Sequence, residues 1–141
     1  MTANDDRDLI RVLAQACGWT CTLNVVGDWL IANRKQTPHR FGAYRDEAKA
    51  WEDIYKAMGR PLHSVDAALA LPWPEATETD MWTLHTHQVL GQSNGASVTH
   101  YRVFKDSHVQ TISSYANEAP TLARALCECF AQWWRAKEAG K

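Results

Sequence analysis

Histidine is the residue type in this chain whose spacing comes nearest to a metal-binding or catalytic set. His85 and His87 lie two residues apart in an alternating segment, so a strand places both side chains on one face. His100 and His108 follow in the next two segments of the same kind. Three imidazoles that converge on one point bind zinc. However, nothing in the sequence fixes the strand register that would bring His100 beside His85 or His87. A solvated sheet face or a contact with a partner explains the same histidines. We therefore expect no metal and no other cofactor.

Motifs for covalent or phosphate chemistry are missing from the sequence. It contains no glycine-rich phosphate loop, no G-x-S-x-G turn and no H-E-x-x-H pair. Ser113 and Ser114 are not accompanied along the chain by a histidine–acid pair, which a serine nucleophile needs. We therefore expect a protein without catalytic residues.

A group of cations falls in one predicted loop, NRKQTPHR. Arg34, Lys35 and Arg40 would suit contacts with a phosphate group, and they are the candidate ligand-binding residues. A solvated loop is the alternative interpretation, because short charged runs are mostly surface features.

The chain contains seven tryptophans. Packing in the core explains those on predicted apolar faces, which are Trp19, Trp29, Trp51, Trp82 and Trp133. Trp73 instead lies between two prolines, and Trp134 lies about 100° round its helix from Trp133. Exposed aromatic residues are favoured anchors in protein interfaces. The candidate partner-binding residues are therefore Trp73, Trp134, His85, His87 and His100.

The four cysteines do not have the spacing of a zinc ribbon. Three residues, not two, separate Cys17 from Cys21, and Cys127 and Cys129 would point about 200° apart on a helix. We expect reduced thiols with a structural role.

The first half of the chain is predicted to fold as a helix, three strands and a second helix. The first helix begins near Leu9 and ends at Gly18. WTCTLNVV and WLIANR are strands that a two-residue turn at Gly27 and Asp28 joins, and HRFGAY is the third strand. Asp46 is then the N-cap of the second helix.

The second half is predicted to repeat this order. A short helix capped at Ser64 leads into a connector around residues 72–74. MWTLHTHQVL, ASVTHYRVFK and HVQTISSY follow as strands, with a turn at Asp106 and Ser107. Pro120 is the predicted first residue of the last helix. One apolar face of that helix carries Leu122, Ala123, Leu126, Cys129, Phe130 and Trp133.

A short motif occurs once in each half, as Tyr-x-Asp-Glu-Ala at 44–48 and Tyr-x-Asn-Glu-Ala at 115–119. Both copies are predicted to lie where a third strand ends and a helix begins, with Asp46 and Asn117 near the helix start. We favour a duplicated βββα unit over convergence on good capping chemistry. The prediction is one domain, 1–141, with pseudo-repeats at about 9–59 and 64–137 and a connector at about 71–80.

Composition narrows the class of protein. The chain has 141 residues, of which 45% are hydrophobic and 22% charged, and its formal net charge is −1. Proteins that bind nucleic-acid backbones normally carry a basic surplus, so direct nucleic-acid binding is not expected. The sequence begins without a basic and apolar leader and has no run of eighteen apolar residues, so we expect a soluble, unsecreted protein.

These elements predict an α+β fold, a layered α/β sandwich whose antiparallel sheet comes from two pseudo-repeated βββα units plus an N-terminal helix. One six-stranded sheet and two smaller sheets both fit. The order of helix, "GW" strand, hairpin and Y-x-[DN]-E-A helix, followed later by EAPTLARALCECFAQWW, resembles the small ABA-sandwich domain proteins of bacteriophages and prophages. The resemblance runs from about Leu9 to Lys137. It implies a phage origin and a fold, and it transfers no site residues.

With this resemblance, the expected function is that of a non-catalytic phage accessory protein, a monomer or small homo-oligomer in the cytoplasm of the bacterial host. It would bind and inhibit a defence component, in the manner of an anti-CRISPR inhibitor, and its partner would be a host protein or ribonucleoprotein immune complex. One alternative is a sponge for a small nucleotide-like ligand held between the two halves. Another is a metal-dependent hydrolase that uses the histidines.

Overall fold

Each half of the chain folds as a three-stranded antiparallel meander followed by a helix. The computed structural model describes residues 3–33, 35, 40–88 and 94–140. The first half contains α1 (Ala3–Ala16), β1 (Trp19–Leu23), β2 (Trp29–Asn33), β3 (Arg40–Tyr44) and α2 (Glu47–Ala57). The second half contains α3 (Val65–Leu69), β4 (Asp80–Gln88), β5 (Asn94–Val103), β6 (Val109–Ala119) and α4 (Leu122–Ala139). The predicted α+β class, with an N-terminal helix and two βββα units, is confirmed.

The six strands form two separate sheets, with the orders β1-β2-β3 and β4-β5-β6. Because strands alternate, each sheet has one apolar face that helices must cover. α1 and α2 cover the first sheet around Trp19, Ile31 and Ile54, and α4 packs on β5 and β6 of the second. α1 also packs on α2 and on α4, so the helices lie between the two sheets.

Helix α4 is buried on more sides than its sequence predicts. The predicted apolar face is inside, and Ala125, Cys127 and Ala131 are buried as well. Small side chains at these positions allow α1 and α3 to approach the helix closely, as the packing of close helices requires. The other faces of α4 are thus used for helix packing while one face meets the second sheet.

Helix α4 also begins later than predicted. Thr121 is the N-cap, since its side chain accepts a hydrogen bond from the backbone N–H of Arg124 at 3.3 Å. Pro120 therefore precedes the cap and is not the first helical residue. The predicted caps Asp46 and Ser64 are confirmed, because their side chains accept hydrogen bonds from the backbone N–H groups of the helices that they begin.

The predicted two-residue turn at Gly27 and Asp28 is wrong. Leu23 pairs with Trp29, which leaves a five-residue loop at 24–28. The Asn24 side chain accepts hydrogen bonds from the backbone N–H groups of Val26 and Asp28, at 3.1 and 2.8 Å. These two hydrogen bonds stabilise the wider turn. The φ of +88° at Gly27 is one that glycine adopts without strain. The turn predicted at Asp106 and Ser107 likewise belongs to a five-residue loop, 104–108.

The two copies of the Tyr-x-[DN]-Glu-Ala motif differ in structure. In the first copy Tyr44 ends β3, and Asp46 caps α2. In the second copy the whole motif lies within β6, because β5 is long enough to pair Asn94 with Ala119. Asn117 therefore does not lie at a helix start. Instead its side-chain N–H donates to Gln132 Oε1 of α4 at 2.6 Å. Duplication of the unit stays a prediction.

Candidate functional site

A cleft of about 670 Å³ opens between the connector after α3, the inner face of the second sheet and the last turns of α4. We call it the aromatic cleft. Its walls carry Trp73 from the connector, Trp82 and His100 from β4 and β5, Tyr115 from β6, and Trp133 and Lys137 from α4. Side chains far apart in the sequence thus meet around one space, which is the usual arrangement of a ligand-binding site.

The sheet side of the cleft depends on strand register. Trp82 and His100 are directly paired on β4 and β5 and therefore lie on the same face. Their rings stack, with centroids 4.2 Å apart and planes 8° apart. Trp133 of α4 meets the Trp82 ring edge-on at 5.9 Å. The second sheet and α4 are thereby joined by a contiguous set of rings.

The connector side of the cleft depends on Trp73. Pro72 and Pro74 restrict the backbone on both sides of it. Its indole N–H donates to the carbonyl of Ala68 at 3.0 Å, and its ring meets Phe130 edge-on at 5.2 Å. The half-buried Trp73 side chain is therefore held in one orientation before any ligand arrives, which reduces the entropy that binding would cost.

Trp134, the second tryptophan predicted for partner contact, lies beside the cleft. It stacks on Phe130 with centroids 6.2 Å apart, and it is half-buried. Lys137 connects it to the cleft, since the Lys137 ammonium lies 5.0 Å from the Trp134 ring centre and 5.4 Å from that of Trp133. Both contacts are cation–π interactions.

Asp80 holds the cleft histidine in place. Its Oδ1 accepts hydrogen bonds from His100 Nε2 at 2.7 Å and from Arg102 Nε at 3.1 Å. These bonds, that of His100 first, lower the pKa of Asp80 to about 2. The carboxylate is therefore ionised at neutral pH and can only accept, so the proton of His100 lies on Nε2. His100 cannot swing away without losing this bond.

Three hydrogen-bond donors on residues that line the cleft have no hydrogen-bond acceptor within the described residues. Lys137 has no carboxylate partner within the described residues. The indole N–H groups of Trp82 and Trp133 find no acceptor there either, and neither nitrogen is among the fully buried polar atoms. The carboxylate that lines the cleft is that of Glu75. The cleft therefore combines aromatic walls with one cation, Lys137, and one carboxylate, Glu75.

Asp80, His100 and Ser113 together contain the residue types of a serine-hydrolase triad, and His100 pairs with Ser113 across β5 and β6. However, the structure shows no hydrogen bond between His100 and Ser113. The His100 ring lies on Trp82 of β4, whereas Ser113 belongs to β6 on the other side of β5. A general base must lie within hydrogen-bond reach of its nucleophile. The structure therefore does not place His100 as a base for Ser113.

The predicted histidine group is divided between two faces of the second sheet. His85 and His87 share the outer face and are exposed, as alternation predicts. The imidazole of His87 covers Gly95 on the neighbouring strand, where a Cβ would collide with the ring. His100 lies on the inner face, so the three histidines do not form one partner-binding surface. Among the described residues, no group of three His, Cys, Asp or Glu side chains is arranged to hold a metal ion.

The cationic loop lies in the first half of the molecule. Arg34 and the side chain of Arg40 lie outside the described residues, so their part in ligand binding stays a prediction. Lys35 Nζ lies 3.4 Å from the carbonyl of Ala16 at the end of α1, and its stem packs over Gly18. Lys35 therefore caps a helix C-terminus, which favours a cation.

Several residues of the aromatic cleft were not predicted as site residues. Trp82 and Trp133 were assigned to the core, and Tyr115 and Lys137 were given no binding role. One local signal was present: Lys137 lies four residues after Trp133, a spacing that places both on the same side of a helix. The pairing of Trp82 with His100 depends on strand register, and no local signal reveals it.

The cysteines provide no reactive thiolate. Burial raises the pKa of Cys127 to about 12 and that of Cys129 to about 11. Burial also raises the pKa of Cys17 and Cys21. The Cys129 thiol donates to the carbonyl of Tyr115 at 3.3 Å, a contact that ties α4 to β6. Packing explains these residues.

A second open cleft, between α1, β6 and α4, is lined by Arg124 and Arg135. Arg124 already bonds to Asp6 at 2.6 Å and to Glu128 at 3.3 Å. An anionic ligand would have to displace these carboxylates, so the aromatic cleft is the better candidate site.

Comparison of the chain with protein-family models, curated proteins and solved structures finds no match. The resemblance to phage ABA-sandwich proteins therefore stays a prediction. Within the part of the chain that the structure describes, no helix combines the length and hydropathy that crossing a membrane requires.

Proposed function

We propose that this protein captures another molecule without chemical turnover and that the aromatic cleft is its recognition site. The observation that carries the proposal is the meeting of Trp73, Trp82 and Trp133 around a space that Lys137 also lines. Aromatic side chains that are held in place before binding are the usual anchors of recognition sites. Trp133 is buried, whereas Trp73 and Trp82 are only partly buried, so these two rings leave apolar area that a ligand or partner can cover.

In this proposal the captured molecule is a component of a bacterial host's defence, and the protein acts as a phage anti-defence inhibitor in the host cytoplasm. The resemblance to small phage proteins supports this role, because such accessory proteins often act by stoichiometric capture. Trp73 and His100, two of the predicted partner-binding residues, line the cleft, and Trp134 adjoins it through Lys137. His85 and His87 lie on the other face of the sheet and are not part of this site.

Co-purification from bacterial host cells tests the proposal. A tagged copy is expected to retain a host component in near-equal amount, identified by mass spectrometry. Lys137→Glu and Trp73→Ala should lose that component, because both change the cleft. Lys49→Glu, on the exposed surface of α2, and His85→Ala, on the outer sheet face, are matched controls that should retain it. Thermal melts show whether each variant is folded.

Two results would count against this function. If His85→Ala loses the component and the cleft variants retain it, the recognition site lies on the outer face of the second sheet. If host interference is unchanged in cells that express the protein, across several immune systems, the anti-defence role is wrong.

A second candidate function is capture of a small nucleotide-like ligand. The Lys137 ammonium favours it, because it places a cation close to the aromatic rings that line the cleft. The site would then be lined by residues of the second half of the chain.

A further inference from the structure

We propose that the aromatic cleft binds a small molecule in which a planar aromatic ring carries an anionic group, such as a nucleoside monophosphate. This inference rests on the proposed capture function and states the ligand class for the same site. Four properties of the cleft support it: its aromatic walls, its charge, its hydrogen-bonding groups and its size.

The walls suit a flat ring. Trp73 and Trp133 come from different elements, the connector and α4, and both border the same space. Their orientations are set by protein contacts, since Trp73 rests on Phe130 and Trp133 on Trp82. Any nucleobase can stack on an aromatic side chain, because every base has a π face. A pre-arranged set of indoles is therefore a suitable platform for a base.

Two charged side chains line the cleft, the Glu75 carboxylate and the Lys137 ammonium, and the second is placed to meet an anion. Lys137 reaches the cleft with its ammonium over two indole rings and without a carboxylate partner in the described residues. The neighbouring Asp80 carboxylate does not oppose an anion strongly, because it is already bonded to His100 and Arg102. A phosphate that approaches Lys137 would replace weak cation–π contacts with a charge-assisted hydrogen bond.

The donors around the rings suit the acceptors of such a ligand. Ser113 and Tyr115, which also line the cleft, carry hydroxyl groups that donate or accept. The volume of about 670 Å³ lies within the range of small-molecule sites. Ring and phosphate can therefore be held together in one place.

Isothermal titration of the purified full chain tests the ligand class. The probes are the 5′-monophosphates of adenosine, guanosine, cytidine and uridine, with adenosine and ribose 5-phosphate as the ring-only and phosphate-only controls. At least one monophosphate should bind, and each control should bind roughly tenfold more weakly or worse, since it lacks one of the two contacts. Binding of none of the four monophosphates would overturn the inference.

Variants at Lys137 test the position of the phosphate. Lys137→Glu should weaken monophosphate binding by roughly tenfold or more and leave adenosine binding unchanged, and Lys137→Arg should restore most of the loss. Lys49→Glu, an exposed lysine outside the cleft, should change neither. Equal weakening by Lys137→Glu and Lys49→Glu would overturn the assignment, because it would indicate a general charge effect.

The same experiments separate this inference from the proposed function. If no monophosphate binds but a host protein co-purifies and Lys137→Glu loses it, capture stands and the small-ligand inference is wrong. If a monophosphate binds in the cleft and no macromolecule co-purifies, the small-ligand inference stands and inhibition by protein contact is wrong.

Discussion

Asp80 holds the side chains of the second sheet that form one wall of the aromatic cleft. It lies at the start of β4, and its carboxylate bonds to His100 and Arg102 of β5. The two bonds hold the His100 ring against Trp82, and they join the strands at the same register as the backbone ladder. A single charged group thus stabilises both the sheet and one wall of the cleft.

The lowered pKa of Asp80 predicts a loss of stability in acid. Its folded-state pKa of about 2 lies below the ordinary value of 3.8. The ionised form is therefore favoured by folding, and its contribution is present above pH 4 and lost as the pH falls toward 2. Asp80→Asn should lower the melting temperature at pH 7 and flatten its dependence on pH between 4 and 2.

Melting curves of the wild type and Asp80→Asn at pH 7, 4 and 2 measure this effect. Asp28→Asn is the matched control, because the Asp28 side chain makes no hydrogen bond or ion pair within the described residues. The same pH dependence in Asp80→Asn as in the wild type would show that Asp80 does not contribute.

At the scale of elements, two hairpin loops of the same length show which of their residues the turn geometry depends on. The loops at 24–28 and 104–108 have the same two backbone hydrogen bonds, one across the loop ends and one inside. The first loop carries Val25 and Val26, which are strongly exposed, and the second carries Lys105 and Asp106 at the same places. The turn geometry therefore does not depend on the valines.

Asn24→Ala should destabilise the protein, because the Asn24 side chain accepts two backbone hydrogen bonds that hold the loop. We expect a loss of about 1 kcal/mol in the free energy of unfolding. The double change Val25→Lys and Val26→Asp should stay within about 0.5 kcal/mol of the wild type. Urea denaturation measures both. The prediction fails if the valine changes cost as much as Asn24→Ala.

At the scale of the whole molecule, α4 holds the two halves together. One of its faces packs on the second sheet, and other faces pack on α1 and α3. α1 in turn packs on α2 and the first sheet. Small residues on α4 allow this close approach, and the same helix supplies Trp133 and Lys137 to the aromatic cleft.

Ala131→Leu should destabilise the molecule, because Ala131 is almost completely buried in the core cluster to which Leu9 of α1 also belongs. Insertion of a larger side chain into such a contact costs about 1–3 kcal/mol. Ala139→Leu, at the exposed end of the same helix, is the matched control and should change stability by less than about 0.5 kcal/mol. Urea denaturation compares the two, and equal stability would show that α4 and α1 are not closely packed.

The sequence by itself determined the features that depend on local chemistry. The caps at Asp46 and Ser64, the end of α1 at Gly18 and the alternation of the strands follow from residues close together in the chain. Hydrogen bonds of a cap and the periodicity of a strand involve near neighbours, so their signals can be read without knowing the rest of the fold. These signals were sufficient for the α+β class and the order of the elements.

Only the tertiary structure decided the features that depend on contacts between residues far apart in the sequence. The extension of β6 through Asn117, the separation of the two sheets and the opposite faces of His85 and His100 depend on strand register. Register is set by pairing and burial across the whole sheet, and a shift of one residue would move every side chain to the other face. The aromatic cleft exists for the same reason, because its indoles belong to a connector, a strand and a helix that only packing brings together.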